Sequence, residues 1–203
     1  MKPILFNTEM VRAVLDGRKT QTRRVVKPQP KDRAILGFQN GILSWGEMRA
    51  GICYEHKAKP RYQPGDILYV RETWAENTIP HSGNYAGIEY RADYYGGREP
   101  ILCWRPSIHM PKEAARIFLR VTDVRVERLQ TISLENCISE GAVKKPNITK
   151  RGDLVLHSRY RNEFAVLWNS TIKPTDRERY GWEANPWVWV ICFERINKEA
   201  ADE

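Results

Sequence analysis

Lys19 and Thr22 are the residues whose types and spacing best suit covalent chemistry in this sequence. They stand in Gly17-Arg18-Lys19-Thr20-Gln21-Thr22-Arg23-Arg24, where four cations fall within eight residues and no acid is among them. Crowding by Arg18, Arg23 and Arg24 penalises an ammonium and so lowers the pKa of Lys19. A lysine made partly neutral can act as a base, and a threonine hydroxyl close by is its natural client. Arginine forks match phosphate or carboxylate geometry, and backbone NH groups at a tight turn add donors. Arg18, Arg23 and Arg24 are therefore candidate contacts for an anionic or nucleobase-bearing ligand. The plainer alternative is a solvated basic turn whose threonines satisfy backbone groups.

The elements that would position this turn can be read on either side of it. Asn7 and Thr8 are good N-cap residues, and Met10, Val11, Val14 and Leu15 recur on one helical face. Gly17 follows the last apolar position, where a left-handed residue ends many helices, and residues 20–26 turn to β-branched, extended character. The octapeptide thus reads as a helix-to-strand junction. A second element of interest is the short helix capped by Ser133, with Leu134, Cys137 and Ile138 inward and Gly141 closing it. Glu140 falls in its last turn. A carboxylate there opposes the helix dipole and costs stability unless a cation meets it.

Charge narrows the partner. The chain has 203 residues and a net charge of +8, and residues 1–33 carry nine Lys or Arg against three Asp or Glu, six of the eight excess charges. A polyanion such as RNA fits that field. Hydrophobic residues at 41% and charged residues at 29% suit a soluble globular protein. No apolar run spans a bilayer and Met1-Lys2-Pro3 does not begin a signal peptide, so we expect a cytoplasmic protein without a membrane partner. Cys53, Cys103, Cys137 and Cys192 form no C-x-x-C pair, and His56, His81, His109 and His157 are equally scattered. This predicts reduced, mostly structural thiols, no cofactor and no dedicated metal site, although carboxylates from distant segments could still build one.

Along the rest of the chain, Asn40-Gly41 between apolar runs predicts an inserted β-hairpin, followed by a mobile loop over residues 46–62. Ile67-Leu68-Tyr69-Val70 reads as a buried strand that delivers Arg71-Glu72-Thr73-Trp74 at its far end. Those charges are either a structural ion pair, the simpler reading since a buried charge must be paired, or a site lining. As a lining, Arg71, Glu72 and Trp74 join the substrate- or RNA-binding candidates. Residues 85–92 predict a strand. Residues 104–111 predict an irregular segment packed through Trp104, Ile108 and Met110, with His109 either reaching a ligand or, the commoner case, anchoring the loop by hydrogen bonds. Residues 116–129 predict a long strand whose phase slips near Asp123, residues 142–157 a loop, and residues 158–172 a helix with Tyr160, Phe164, Leu167 and Trp168 inward. After a charged turn at 173–179, residues 187–193 read as a central strand, and the acidic end from Glu199 should fray. With no repeat and no separating linker, this predicts one α+β or barrel-like domain over residues 1–203.

Gly17-x-Lys19-x-x-Thr22-x-Arg24 resembles the G-x-K-x-x-[E/T]-x-R motif of ASCH domains, relatives of PUA domains. The strand after Gly65, the strand–helix unit ending at Glu140-Gly141 and the final strand follow in the expected order, with residues 28–62 and 76–111 as insertions. Arg71-Glu72-Thr73-Trp74 and Asn185-Pro186-Trp187 are similar to segments of phage and prophage ASCH proteins of bacteria. The resemblance implies a PUA-like α+β fold: a small β-barrel flanked by helices, with a cleft beneath the motif for RNA or a nucleotide. Many members have glutamate where this chain has Thr22. A bacterial subfamily with lysine and threonine there, plus a later glutamate, hydrolyses the amide of acetylated cytidine. Carried over, Lys19 would be the base, Thr22 the nucleophile and Glu140 the partner that orients or holds charge. The alternatives are a ribonuclease using Lys19, Arg24 and an acid such as Glu72, and a non-catalytic RNA-binding module.

Overall fold

The computed structural model describes residues 1–30, 35–78, 85–94, 102–142 and 153–202. The chain is an α+β protein in which strands outnumber helices. It forms two compact units, each assembled from separated stretches: Met1–Arg18, Gly65–Arg120 and Glu194–Glu203 in the first, Lys19–Pro64 and Val121–Phe193 in the second.

In the first unit, β1 (Lys2–Leu5) pairs parallel with β6 (Ile67–Arg71), and β6 pairs antiparallel with the first residues of β9 (Phe118–Arg128). Helix α1 (Thr8–Leu15) follows β1, with the Asn7 side chain accepting from the Met10 N–H at 2.9 Å. Met10, Val11, Ala13 and Val14 are buried, and Gly17 closes the helix at φ 73°. The hairpin of β7 (Trp74–Thr78) and β8 (Tyr85–Tyr90) completes the strands, with the 85–92 expectation shortened by two residues.

A core of Trp74, Met110, Ala114, Ala115 and Phe118 takes in Ala201 from the last helix, α5 (Glu199–Asp202). The expected fraying is therefore replaced by a docked helical turn. Two alanines among acids carry too little hydrophobic signal to show that anchor in the sequence. Ile108, expected to pack, is 58% exposed, because residues 107–109 form a 3-10 turn that leaves Met110 alone to enter the core. His109 is exposed as well.

The second unit holds the basic motif. Strand β2 (Gln21–Val25) pairs antiparallel with β10 (Trp187–Ile196), placing Thr22 opposite Ile191 and Arg23 opposite Val190. The order β9, β10, β2 makes β10 central, as its buried run Val188-Trp189-Val190-Ile191 requires. On β9, Thr122 and Asp123 are both exposed between buried Val121 and Val124, the phase slip expected there. Helix α2 (Leu134–Ser139) begins at Ser133, whose hydroxyl accepts from the Asn136 N–H, and ends at Gly141 with φ 77°. Helix α3 (Asp153–Thr171) starts five residues before the expected 158, so 153–157 are helix rather than loop. Tyr160, Phe164 and Trp168, four residues apart, enter a core with Leu129, Ile132, Cys137, Val188 and Val190.

The 173–179 turn is a 3-10 turn at Pro174–Asp176 followed by the short helix α4 (Arg177–Tyr180). The remainder of the 142–157 expectation, residues 143–152, lies outside the described residues, as does His81.

The hairpin at Asn40-Gly41 is present as β3 (Ile35–Gln39) and β4 (Ile42–Arg49), with positive φ at both turn residues. The mobile loop expected after it is instead a strand pair. β4 continues to Arg49, turns at Ala50-Gly51 with φ 49° and 81°, and returns as β5 (Ile52–Ala58). This is the same two-residue turn chemistry. An alanine in a left-handed position masks it in the sequence. Among the described residues the strand pairings leave open sheets, without a closed barrel. No described helix is long and apolar enough to cross a membrane.

Candidate functional site

The Thr20 N–H donates to Ser139 O at 2.9 Å, pinning the turn before β2 to the C-terminal end of α2. That backbone bond carries Lys19 to Glu140. The Lys19 Nζ donates to Glu140 O at 2.8 Å, to Gln21 O at 2.9 Å and to Glu140 Oε2 at 3.0 Å. Three acceptors match the three N–H groups of an ammonium. The C-terminal carbonyls of α2 and the carboxylate at its cap both favour a cation there. Burial works the other way and is the largest influence: it pulls Lys19 below the ordinary lysine value, with Glu140 opposing and Arg24 and Arg23 assisting. The direction is the one expected from crowding, but water exclusion leads it. Arg18 lies in the first unit, where it pairs with Asp16 at 2.9 Å.

Glu140 meets two cations. Its Oε1 accepts from Arg23 Nη1 at 2.9 Å, so one carboxylate bridges Lys19 and Arg23. Lys19, Arg23 and Glu140 are respectively 2%, 2% and 3% exposed. The other end of Arg23 reaches Glu127 Oε2 at 3.2 Å, and Glu127 Oε1 accepts from Arg125 Nε at 2.6 Å. The guanidinium of Arg23 also lies 5.7 Å from the centre of the Phe164 ring, and its buried Nε finds no acceptor among the described residues.

Thr22 and Arg24 occupy the opposite face of β2 from Arg23, as strand alternation requires. Thr22 is 1% exposed, and its Oγ1 accepts from Arg24 Nη1 at 2.9 Å. Burial lowers the Arg24 pKa, with Glu140 and Tyr62 opposing and Arg61 adding to the shift. An arginine so placed stays charged. The second unit therefore brings Lys19, Thr22, Arg23, Arg24 and Glu140 into one stretch of β2 and the end of α2. Lys19 is bound to Glu140, whereas the hydroxyl of Thr22 is held by Arg24.

Arg71, Glu72 and Trp74 lie in the first unit with partners there. Glu72, 1% exposed, takes both Arg116 Nε at 2.9 Å and Arg116 Nη2 at 3.1 Å, while Arg116 also clamps Asp93 at 2.7 Å. Burial pushes the Glu72 carboxyl above its usual value against the pull of Arg116. Arg71 donates to the carbonyls of Met110 and Ile108. Trp74 is buried beneath Arg105, which pairs with Glu76. Of the three, only Glu72 is in an ion pair among the described residues, whereas Arg71 is held by backbone carbonyls.

Sequence reasoning missed Arg125 and Glu127. Their signal was present, since Asp123, Arg125 and Glu127 alternate along one strand, a charged row that exposed sheet positions also show. Among the described residues no group of three His, Cys, Asp or Glu could hold a metal ion. Compared with protein-family models, with curated proteins and with solved structures, the chain matches none.

Proposed function

We propose that the second unit carries a hydrolase site of ASCH, PUA-like type that cleaves the amide of an N-acylated pyrimidine nucleoside, such as acetylated cytidine, with Thr22 as nucleophile, Lys19 as base and Glu140 as its partner. The observation that carries this reading is a lysine out of water, bound to a carboxylate, on the same short stretch as a buried threonine hydroxyl held by an arginine. The three acceptors around Nζ fit an ammonium, whose proton must leave before Lys19 can act as a base. Transfer of that proton to Glu140 frees the amine, which then takes the Thr22 hydroxyl proton as the oxygen attacks the acyl carbon. The C–N bond breaks, the proton moves from Lys19 to the leaving exocyclic nitrogen, and a threonyl ester remains. Water attacks the ester with Lys19 again as base; as the C–O bond to Thr22 breaks, Lys19 passes that proton to Thr22 Oγ1, the carboxylic acid leaves, and Glu140 returns its proton to Lys19. Arg24, already donating to Thr22 Oγ1, supplies positive charge where negative charge develops.

A second reading has support of its own. All three N–H groups of Lys19 are occupied, and Arg23 is bracketed by two carboxylates. The network could serve as the frame of an RNA-binding module, with Thr22 no more than a hydrogen-bonding group. A ribonuclease drawing on Lys19, Arg24 and an acid such as Glu72 has less support, since both oxygens of Glu72 are taken by Arg116.

Incubation with a panel of N-acylated nucleosides and with labelled RNA separates these readings. Amide hydrolysis predicts free nucleoside from the panel, lost in Thr22→Ala and nearly insensitive to salt for a neutral nucleoside. RNA binding predicts retention of labelled RNA that weakens steeply as salt rises and survives Thr22→Ala.

A further inference from the structure

We propose that Glu127 is a positioning residue: by holding one end of Arg23, it leaves the second oxygen of Glu140 to Lys19. The inference rests on the reading of Lys19 as the base for Thr22, but the geometry behind it does not. Arg23 is out of water and divides its two terminal nitrogens, Nη1 to Glu140 and Nη2 to Glu127. A guanidinium prefers to engage one carboxylate through both nitrogens. With Glu127 present that fork is split, and Glu140 offers Oε1 to Arg23 and Oε2 to Lys19. Without Glu127, the free nitrogen of Arg23 turns to Glu140 and competes with Lys19 for the same carboxylate. Glu127 is itself held from outside, by Arg125 at 2.6 Å, and Arg125 also reaches Asp123 and the Cys192 sulfur.

The charges that bear on Lys19 are Glu140 at the end of α2, Arg23 and Arg24 on β2, and, through Arg23, Glu127 and Arg125 on β9. Removing the negative charge of Glu127 leaves Arg23 uncompensated and draws Glu140 away, and both effects favour the neutral amine. Removing the positive charge of Arg125 does the reverse, because Glu127 then compensates Arg23 more fully.

The test is the titration of the Lys19 amino group in the full chain, followed by NMR with labelled lysine and assigned by its loss in Lys19→Arg. We expect Glu127→Gln to lower the Lys19 midpoint by about one pH unit. Arg125→Met, at a half-exposed position, should raise the midpoint. Charge alone would also give opposite shifts, so Glu127→Asp, which keeps the charge but shortens the reach to Arg23, separates the two: a positioning role lowers the midpoint there as well, and charge alone leaves it in place. A midpoint that stays in place in both variants, or moves the same way in both, overturns the proposal. If Glu127→Gln does not fold, Glu127→Asp decides alone: a lowered midpoint supports the proposal, an unchanged or raised one overturns it. The titration needs no turnover. Hydrolysis with an unmoved midpoint sinks this inference and leaves the proposed function standing, and opposite shifts without hydrolysis do the converse.

Discussion

The carboxylate of Glu140 stands 3.0 Å from the amino nitrogen of Lys19, although 121 residues separate them along the chain. Its other oxygen takes Arg23 at 2.9 Å. An acid at the end of a helix is thereby balanced by two cations that burial would otherwise make costly. Each of the three charges depends on the other two.

Removing the shared acid should therefore be expensive. Glu140→Ala leaves Lys19 and Arg23 buried without their common partner, and we expect a loss of about 3–5 kcal/mol in urea unfolding. Lys19→Met is expected to cost less, since Arg23 still compensates Glu140. Equal small losses in both variants would show that the network contributes little to the fold.

Much of this arrangement was legible in the sequence, and for a physical reason. The position of Glu140 at a helix end marked it as costly unless a cation met it, but only the family resemblance tied it to Lys19. Asn7, Ser133, Gly17, Gly141 and Asn40-Gly41 marked caps and a turn correctly because each acts through its immediate neighbours. Which cation would reach Glu140, and that Arg23 would be shared with Glu127, depends on pairing between distant strands and helices, which local spacing does not encode. The turn at Ala50-Gly51 and the anchor at Ala201 escaped notice because alanine carries no turn signal and little hydrophobic signal. Arg71, Glu72 and Trp74 became candidates because they follow a buried strand, and sequence could not show that Arg116 and Arg105 would meet Glu72 and Trp74.

The cysteines give an independent check on the packing. Cys53 and Cys103 are exposed, Cys192 is half-buried, and Cys137 is fully enclosed with its thiol pushed up to about 11 by burial. A thiol reagent at neutral pH should modify Cys53 and Cys103 first, Cys192 more slowly, and Cys137 only as the protein unfolds. Peptide mapping over time reads the order, and early modification of Cys137 would contradict the core built around α2 and α3.

Glu72 predicts a pH dependence of stability. Its carboxyl lies above the unfolded value of 4.5 because burial outweighs the pull of Arg116. Between those two values the native state holds more protons than the unfolded chain, so stability falls as pH rises. The favourable contribution is complete below the unfolded value and is lost as pH climbs through the folded one. Glu72→Gln cannot titrate and should show a flatter stability curve across that window. An unchanged slope, or a steeper one, in denaturant titrations at stepped pH would contradict the assignment.

The proton-transfer role predicts a graded loss of activity. Against an acylated nucleoside that the wild type hydrolyses, Glu140→Gln should lower kcat by about a hundredfold to ten-thousandfold. Thr22→Ser should retain measurable turnover, because the hydroxyl remains. A fully active Glu140→Gln enzyme would leave the acid with a structural role only.

The most direct measurement is the capture of the acyl group itself. After rapid acid quenching of wild-type protein with N4-acetylcytidine, mass spectrometry of the digested chain should find one acetyl group on the peptide bearing Thr22, together with free cytidine. Both signals should be absent in folded Thr22→Ala. Cytidine released equally by Thr22→Ala, or acetyl found only on Lys19, would contradict the assignment of Thr22 as the nucleophile.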